Sequence, residues 1–300
     1  MKGVAAVVVG YNPEIPVLDN LLSSLVEQVE LLILVDNGGA SEFLRSSPLR
    51  DRVHYVALGE NKGLGFALNL GFSFAIESGI DHVVTFDQDS HAEPDLISRL
   101  HKAMAQASLL DSNAVAVSPA FFDRRDGKEI KFPFYSSEGG AIHPVLHCHN
   151  PNGLVKADAL ITSGMFVDTR AWKAGIKYDD GMFVDFTDTE WCFRARDKGY
   201  SLYGCLNVQM GHALSDAPPV KVFGLSFFRY SPVRRYFFFR NTVSVCRMKH
   251  TPGVWKRRMI MALMLRFAVN IVIDTDRVKS VRMMLRGIHH GLKASLGPVH

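Results

Sequence analysis

The chain has 300 residues, of which 47% are hydrophobic and 21% charged, so its composition predicts a globular protein with a sizeable core. Its net charge of +4 combines two unlike regions: residues 1–216 carry 18 basic against 28 acidic side chains, and residues 217–300 carry 16 against 2. Four cysteines without paired metal-binding spacing exclude a disulfide-rich scaffold and favour a reducing, cytoplasmic location.

Short β-branched runs alternate with helical patterns over the first 120 residues, beginning with a buried strand rather than a signal peptide. This alternation predicts an α/β fold with a mostly parallel, doubly wound sheet. Ligands bind beyond the carboxyl ends of such strands, so we expect four polar, glycine-rich loops to face one crevice. The predicted elements are Val4–Val9, a helix near Pro16–Val29, Leu31–Val35, Val53–Ala57, a helix ending near Ser78, and Val83–Phe86.

The fourth predicted strand ends at two carboxylates one residue apart, Asp87 and Asp89. Because side chains alternate along a strand, both can face one ligand while Gln88 points away. Paired carboxylates suit Mg²⁺ or Mn²⁺, which take further ligands from water and phosphate oxygens. The alternative is a simple turn in which Asp89 or Ser90 caps the helix that begins near Glu93.

Two further loops follow predicted strands. Asp36 could accept hydrogen bonds from a nucleobase N–H or a ribose hydroxyl, or it could belong to an Asp-Asn-Gly-Gly turn. Asn61, Lys62 and Gly63 precede a helix, where backbone N–H groups can approach an anion closely; a packed loop is the alternative. This segment matches neither a P-loop nor the dinucleotide-binding fingerprint.

The middle of the chain, residues 121–159, is irregular and contains a histidine-rich cluster. Its spacing fits no closed four-ligand zinc pattern, so we expect a loop that contacts substrate. Leu160–Asp168 follows as a predicted strand interrupted at Ser163 and Gly164, where a ligand or a backbone can approach, with a bulge as the alternative. The histidine-rich cluster within residues 121–159 consists of His143, His147, Cys148 and His149.

A helix of about three turns is predicted after residue 186, because Thr187 and Glu190 match a capping box and Gly199 suits the helix end. Asp188 then lies in the first turn. A carboxylate there either complements the helix dipole or serves as a general base held rigidly in a crevice. His212, which follows another strand-like run, is a candidate metal ligand, with a hydrogen-bonded structural role as the alternative.

Taken in order, these motifs resemble those of family 2 inverting glycosyltransferases with the A-type nucleotide-sugar fold, over about residues 4–245. The resemblance also covers Phe183-Val184-Asp185 and Glu190-Trp191-Cys192, which are similar to the bacterial rhamnosyltransferase branch and imply dTDP-L-rhamnose as donor. The other segments are Gly10-Tyr11-Asn12-Pro13, Val35-Asp36-Asn37-Gly38, Asn61-Lys62-Gly63, Phe86-Asp87-Gln88-Asp89-Ser90, Ser163-Gly164, Asp188-Thr189-Glu190-Trp191 and His212.

The resemblance implies a role for each site residue. Donor binding falls to Tyr11, Asn12, Asp36, Asn61, Lys62, Gly63, Asp87 and Gln88, with Asp36 at the nucleobase and Asp87 at the ribose or metal. Asp87, Asp89 and His212 would hold Mg²⁺ or Mn²⁺ at the diphosphate. Asp188 matches the catalytic base, and Ser163, Gly164, Glu190 and Trp191 would line the acceptor or sugar pocket. Many relatives have Glu-Asp where this chain has Thr187-Asp188, so Asp185 is a rival base.

The implied reaction is a single displacement in which an acceptor hydroxyl attacks the anomeric carbon, Asp188 takes its proton and the centre inverts. The product would be an α-L-rhamnoside of a lipid-linked or polysaccharide acceptor in cell-surface, O-antigen-like glycan synthesis. The alternatives are transfer of galactofuranose or another hexose from a UDP-sugar and noncatalytic nucleotide-sugar binding. A nucleotidyltransferase is not expected, because no basic, glycine-rich loop follows the first strand.

The change in charge at residue 216 divides the chain. With the roles that the resemblance implies, we expect a nucleotide-sugar-binding and catalytic domain over 1–216, with acceptor-side elements over about 120–216, and a basic helical extension over 217–300. Six aromatic residues interleave with arginines around Arg229–Arg240, which predicts an amphipathic membrane-surface helix rather than a nucleic-acid site. Met259–Ile273 is apolar but too short to span a membrane. We expect binding to the anionic inner face of the cell membrane, with packing on the catalytic domain or a homo-oligomer contact as the alternative.

Overall fold

The computed structural model describes residues 3–125, 128–148, 150–211, 220–222, 225–227, 230–274 and 276–299. The described strands are β1 (Val4–Gly10), β2 (Leu31–Asp36), β3 (Val53–Ala57), β4 (His82–Asp87), β5 (Ala114–Arg125), β6 (Lys128–Lys131), β7 (Phe134–Ser136), β8 (His143–Val145), β9 (Leu154–Lys156), β10 (Met165–Asp168), β11 (Ser201–Gly211), β12 (Val220–Val222) and β13 (Leu225–Phe227). The described helices are α1 (Ile15–Val26), α2 (Ser41–Ser46), α3 (Leu64–Glu77), α4 (Leu96–Leu110), α5 (Thr169–Lys173), α6 (Thr187–Asp197), α7 (Pro232–Arg247), α8 (Gly253–Ile273) and α9 (Arg277–Leu292), with 3₁₀ turns at Arg50–Arg52 and Asp180–Met182.

A central sheet organises the described part of the chain. It has nine described strands: eight pair in the order β3-β2-β1-β4-β10-β5-β11-β9, and β6 pairs with β5. β3, β2, β1 and β4 run parallel, as do β5 and β11, whereas β10, β9 and β6 are antiparallel to their neighbours. The predicted mostly parallel α/β sheet is confirmed.

Helices cover both faces of this sheet, because its central strands are apolar on both sides. All seven residues of Val4–Gly10 are buried. One core cluster joins the sheet to α1 and α4, and the other joins it to α3, α5 and α6. β1, β2 and β4 end at the same edge of the sheet, because Gly10 pairs with Asp36 and Val9 pairs with Asp87.

The predicted strand over Leu160–Asp168 is wrong in its first half. β10 begins only at Met165, because the Met165 N–H donates to the Thr162 carbonyl (3.2 Å) and folds the preceding segment into a turn. Gly164 in this turn has φ +71°, and a Cβ there would lie 2.9 Å from the Met210 sulfur. The missing side chain at Gly164 thus makes room for the side chains of Met210 and Pro119, and not for a backbone as predicted.

The alternative in which Asp89 or Ser90 caps α4 is also wrong. This helix begins at Leu96, and Asp95 occupies the N-cap position without a side-chain capping bond. The two aspartates at the end of β4 are therefore separated from α4 by a loop, and capping does not explain them.

The three C-terminal helices pack on one another. Arg235 of α7 binds the Asp274 carboxylate at the end of α8, and both side chains are buried. Glycines on α9 allow a close approach to α7: a Cβ at Gly291 would lie 2.6 Å from the Arg240 carbonyl oxygen, and one at Gly287 would lie equally close to the α7 backbone. These contacts join α7, α8 and α9 into one layer.

The prediction of an amphipathic membrane-surface helix over Arg229–Arg240 is wrong for α7. Its arginine and aromatic side chains are largely buried, including Arg235, Phe237, Phe239 and Arg240; Arg229 lies outside the described residues. The alternative of packing on the rest of the chain is observed for this helix. None of the described helices combines the length and hydrophobicity that crossing a membrane requires.

Candidate active site

The crevice at the carboxyl edge of the sheet begins with the loop after β4. Asp87 at the strand end is half-buried, and Asp89 is exposed. Between them, Gln88 accepts a hydrogen bond from the Tyr11 N–H (2.6 Å) and donates to the Tyr11 carbonyl (3.1 Å). The adjacent Asn12 N–H donates to the turn after β2 (2.7 Å). The Gln88 side chain therefore fixes the loop after β1, whose Tyr11 ring is half-exposed.

The buried Asp36 carboxylate builds the turn after β2. It accepts hydrogen bonds from the N–H groups of Gly38 (2.8 Å) and Ala40 (3.2 Å) and from the Tyr55 hydroxyl (2.6 Å). Burial and the Asp36 carboxylate raise the pKa of Tyr55 to about 12, so this hydroxyl keeps its proton as a donor. The turn considered for Asp36 is present, and a contact with a nucleobase stays a prediction.

Asn37, to which the sequence motifs assigned no role, joins the loops after β2 and β3. Its buried amide accepts a hydrogen bond from the Lys62 N–H (3.0 Å) and donates to the Gly63 carbonyl (3.2 Å). One sequence signal could have identified Asn37: it is an amide side chain in a turn at the end of a strand. If such an amide is buried, its oxygen and N–H₂ group need hydrogen-bond partners, which neighbouring loops can supply. In the same loop Asn61 accepts from the Gly63 N–H (2.9 Å), and the Lys62 ammonium pairs with Glu60.

Asp188 lies in the first turn of α6, as predicted, and is linked to the end of β4. Its carboxylate accepts hydrogen bonds from the Thr189 N–H (2.6 Å), the Thr189 hydroxyl (3.2 Å) and the Thr162 N–H (3.2 Å). The Thr162 carbonyl in turn accepts from the Thr85 hydroxyl on β4 (2.5 Å). Burial raises the pKa of Asp188 above its usual range, although these hydrogen bonds act in the opposite direction. The carboxylate is thus held rigidly and protonates more readily than that of an exposed aspartate.

The hydrogen bonds that join Asp188 through Thr162 to β4 bring the carboxylates of the two motifs to one crevice. Burial, together with the charges of Asp89 and Asp188, raises the pKa of Asp87 to about 7, while Arg234 acts in the opposite direction. Interactions of this kind require short separations. Negative charge in this crevice is therefore incompletely balanced by the protein, which suits a bound cation or a proton acceptor.

Asp185, the rival base, lies just before α6. Its Oδ1 is 3.3 Å from Nη2 of Arg234, and its Oδ2 is buried without a hydrogen-bond partner among the described residues. Burial raises the pKa of Asp185, and Arg234 opposes this shift. Asp185 is therefore already paired with a cation, whereas the Asp188 carboxylate is held by N–H and hydroxyl groups.

Ser163 and Gly164 do not form an open pocket wall in this structure, contrary to the prediction. The Ser163 side chain is fully buried and shares a hydrogen bond with the Ser90 hydroxyl. The Gly164 N–H donates to the Thr85 carbonyl (2.7 Å). The pair attaches its turn to β4 and to the loop that carries the two aspartates.

Glu190 and Trp191 were also predicted to line the pocket, and both side chains lie in the core with 1% exposure. The Glu190 carboxylate binds Arg194 twice (2.7 and 2.8 Å) and lies 2.9 Å from Nε2 of His250. Trp191 donates to the Ile176 carbonyl (2.9 Å). The predicted capping box is wrong for the same reason, because Glu190 turns toward these partners.

No three His, Cys, Asp or Glu side chains lie close enough to hold a metal within the described ranges. His143, His147 and Cys148 are within the described ranges and belong to no such group. His149 and the predicted ligand His212 lie outside those ranges. The oxygen donors at the end of β4 nevertheless fit a hard divalent cation, which commonly takes one or two carboxylates and completes its shell with water and phosphate.

Comparison with known proteins gives a family model and a relative that this chain matches. Residues 6–162, more than half of the chain, match the family model described as glycosyl transferase family 2. The chain is also similar to the dTDP-rhamnosyl transferase RfbF of Shigella flexneri, with 28% identity over 298 residues that cover 99% of this chain and 97% of the relative.

Two solved structures share the fold at low sequence identity. A crystal structure of GalNAc-T7 with UDP, GalNAc and Mn²⁺ aligns with a TM-score of 0.57 and 11% identity over 90% of this chain and 57% of that one. Residues 1–349 of S. aureus TarS align with a TM-score of 0.52 and 12% identity over 97% of this chain and 82% of that one. The chain thus spans little more than half of the first structure, and both likenesses concern the fold alone.

Proposed function

Because this chain belongs to glycosyl transferase family 2, we propose that it transfers L-rhamnose from dTDP-L-rhamnose to a hydroxyl of a lipid-linked or polysaccharide acceptor, with inversion at the anomeric carbon. The observation that carries the transfer chemistry is the hydrogen-bonded link from Asp188 on α6 through Thr162 to Thr85 on β4, the strand that ends at Asp87 and the motif with Asp89. The choice of donor is supported by the full-length similarity to a dTDP-rhamnosyl transferase.

The donor is bound by the loops at the carboxyl edge of the sheet. Its nucleoside lies against Tyr11, Asn12 and the turn built by Asp36, and its diphosphate lies near the loop 61–63. Asp87, Asp89 and His212 would hold Mg²⁺ or Mn²⁺. When bound, this ion would neutralise the charge that collects on the departing nucleotide diphosphate.

Asp188 acts as the general base. The acceptor hydroxyl attacks the anomeric carbon from the face opposite the nucleotide, its proton passes to the Asp188 carboxylate, and the bond to the diphosphate breaks. The hydrogen bonds from Thr162 and Thr189 fix the carboxylate for this transfer. Its raised pKa increases its affinity for the proton, which favours general base catalysis as long as the group is ionised.

The experiment that tests this proposal is nucleotide release by the purified protein from dTDP-rhamnose, UDP-galactofuranose, UDP-glucose and GDP-mannose. Each donor is supplied with Mg²⁺, with Mn²⁺ and with EDTA. We expect metal-dependent release of dTDP alone. Release of UDP or GDP instead would retain sugar transfer and overturn the rhamnose donor, with galactofuranose or another hexose in its place. Calorimetric binding without release of any nucleotide, even with glycan acceptors present, would indicate a binding protein.

The enzyme acts at the cytoplasmic face of the membrane, where lipid-linked acceptors are assembled, and α8 supplies the contact. This helix presents exposed apolar side chains beside the exposed arginines Arg257 and Arg258. An apolar strip flanked by cationic groups suits the surface of an anionic leaflet. The apolar side chains are Ile260, Met261, Met264, Leu265, Ile271 and Val272.

A further inference from the structure

The segment that leads into α6 has an unusual backbone. Phe183, Asp185 and Phe186 have φ values of +63°, +58° and +65°, in the left-handed region that residues with a Cβ rarely adopt. Such a conformation persists only where the surroundings hold it in place. The segment runs from the 3₁₀ turn at Asp180–Met182 to the first turn of α6, which carries Asp188.

Two adjacent side chains of α7 hold this segment. The Asn241 amide shares its two N–H groups among the carbonyl oxygens of Met182 (2.8 Å), Val184 (2.6 Å) and Asp185 (2.9 Å). The Arg240 guanidinium donates to the carbonyls of Gly181 and Met182, both at 2.9 Å. Both side chains are fully buried.

The Arg240 side chain fixes the orientation of the Asn241 side chain. Nε of Arg240 donates to Oδ1 of Asn241 (2.9 Å), which directs the amide N–H₂ group toward the segment. The Phe183 ring stacks on Phe237 of the same helix, with 4.9 Å between the ring centroids. The arginine therefore orients the asparagine, and α7 holds both the backbone and a side chain of the segment.

The same segment touches the loop that we assign to the donor diphosphate. The Leu64 N–H donates to the Phe183 carbonyl (2.6 Å), and a Cβ on Gly63 would lie 2.8 Å from Phe183. All five carbonyl groups from Gly181 to Asp185 are thus hydrogen-bonded, four of them to α7 and that of Phe183 to the loop before α3. A shift of the segment would move the start of α6 relative to the donor loop.

We propose that Arg240 and Asn241 are positioning residues for sugar transfer: they fix residues 181–186 and thereby place Asp188 opposite the donor. The inference rests on the proposed function, in which Asp188 is the base. Neither side chain touches substrate in this role. They act through the backbone of the segment, so their loss is felt in the catalytic step more than in nucleotide binding.

The test compares Asn241→Asp and Arg240→Lys with two variants of the same helix that do not contact the segment. Asn241→Asp keeps the size of the side chain and removes its N–H₂ donors. Arg235→Lys alters another buried arginine of α7, which binds Asp274, and Ser244→Ala alters a buried hydroxyl. The measurements are kcat and KM for nucleotide release, calorimetric affinity for dTDP, thermal unfolding, and hydrogen exchange of the peptide spanning 181–190.

We expect Asn241→Asp and Arg240→Lys to lower kcat by about 100-fold, since small misplacements of catalytic groups have effects of this size. Their dTDP affinity should stay within about threefold of the unaltered protein, and residues 181–190 should exchange faster. Arg235→Lys should lower thermal stability while leaving kcat and the hydrogen exchange of this peptide unchanged. Ser244→Ala should also leave kcat and the exchange of this peptide unchanged.

Two results would overturn the inference. One is unchanged exchange of 181–190 in both test variants. The other is a loss of kcat that follows thermal stability equally in Arg235→Lys and in the test variants, because that would indicate a purely structural role. If Asn241→Asp fails to fold, Arg240→Lys supplies the same comparison. Failure of the proposed function looks different: the unaltered protein would release no nucleotide, while hydrogen exchange would still report whether α7 holds the segment.

Discussion

Asp188 and Asp185 compete for the role of base, and their surroundings predict different pH dependence. Burial raises the pKa of Asp188 in the folded enzyme. A base must be ionised, so turnover should fall as the pH drops through this raised pKa, at a higher pH than for an ordinary aspartate. Asp188→Asn should lower kcat by about 10²–10⁴-fold and leave dTDP affinity unchanged. The measurements are the pH profile of kcat/KM and dTDP calorimetry.

Asp185→Asn is the matched control for this prediction. It removes a carboxylate three residues away, paired with Arg234, and should keep the acid limb of the profile. Normal turnover by Asp188→Asn would rule out Asp188 as the base. Loss of the acid limb in Asp185→Asn would instead assign the base to Asp185.

The raised pKa of Asp87 predicts how the stability of the metal-free protein depends on pH. Its pKa is about 7 when folded and near 3.8 when unfolded, so between these values the folded state binds the extra proton. Stability should therefore fall as the pH rises from about 4 to about 8. In EDTA, Asp87→Asn should raise the free energy of unfolding at pH 8 by roughly 2–4 kcal/mol and have little effect at pH 4. Urea unfolding at both pH values measures this; equal effects at the two would contradict it.

At the scale of elements, α8 carries the membrane prediction. Changing Met261, Met264 and Leu265 together to Gln should abolish co-flotation with anionic liposomes while leaving nucleotide release from the donor intact, because these side chains are exposed and lie outside the crevice. The matched control is Leu109→Gln with Leu110→Gln, which removes exposed leucines at the end of α4. Equal flotation by the triple variant, or equal loss in the control, would argue against α8 as the contact.

The elements differ in how far the sequence could predict them. β1 to β4 were predictable because parallel buried strands leave continuous apolar runs, and the carboxylates of Asp87 and Asp89 mark where one run ends. α7 was not, because alternating arginines and aromatics look the same on a membrane helix and on a helix whose arginines bond distant carbonyls. Arg240 reaches Gly181, 59 positions earlier. Glu190 was assigned to a cap because the Thr187–Glu190 spacing fits one, but its carboxylate instead binds Arg194, four residues on, and lies beside His250, which is remote in sequence.

At the scale of the whole molecule, the boundary predicted at residue 216 separates two regions that share buried polar contacts. Trp255 of α8 donates to the buried Asp158 carboxylate (2.6 Å), which also pairs with Arg196 (2.8 Å). His250 lies 2.9 Å from Glu190, and α7 holds residues 181–186. Removing the C-terminal helices would leave the buried Asp158 and Glu190 carboxylates and the carbonyl groups that α7 binds in residues 181–186 without these partners. Loss of partners by buried polar and charged groups is strongly destabilising.

A chain ending at residue 216 should therefore fail to fold as a catalytic domain, although its composition looks self-sufficient. We expect the full chain to unfold in one calorimetric transition and the shortened chain to show none. Trp255→Phe in the full chain is the graded control: it keeps the ring, removes the hydrogen bond to Asp158, and should cost about 1–3 kcal/mol of stability. Cooperative unfolding of the shortened chain at the temperature of the full chain would instead establish two independent domains. In that case α7 could not be required to place Asp188.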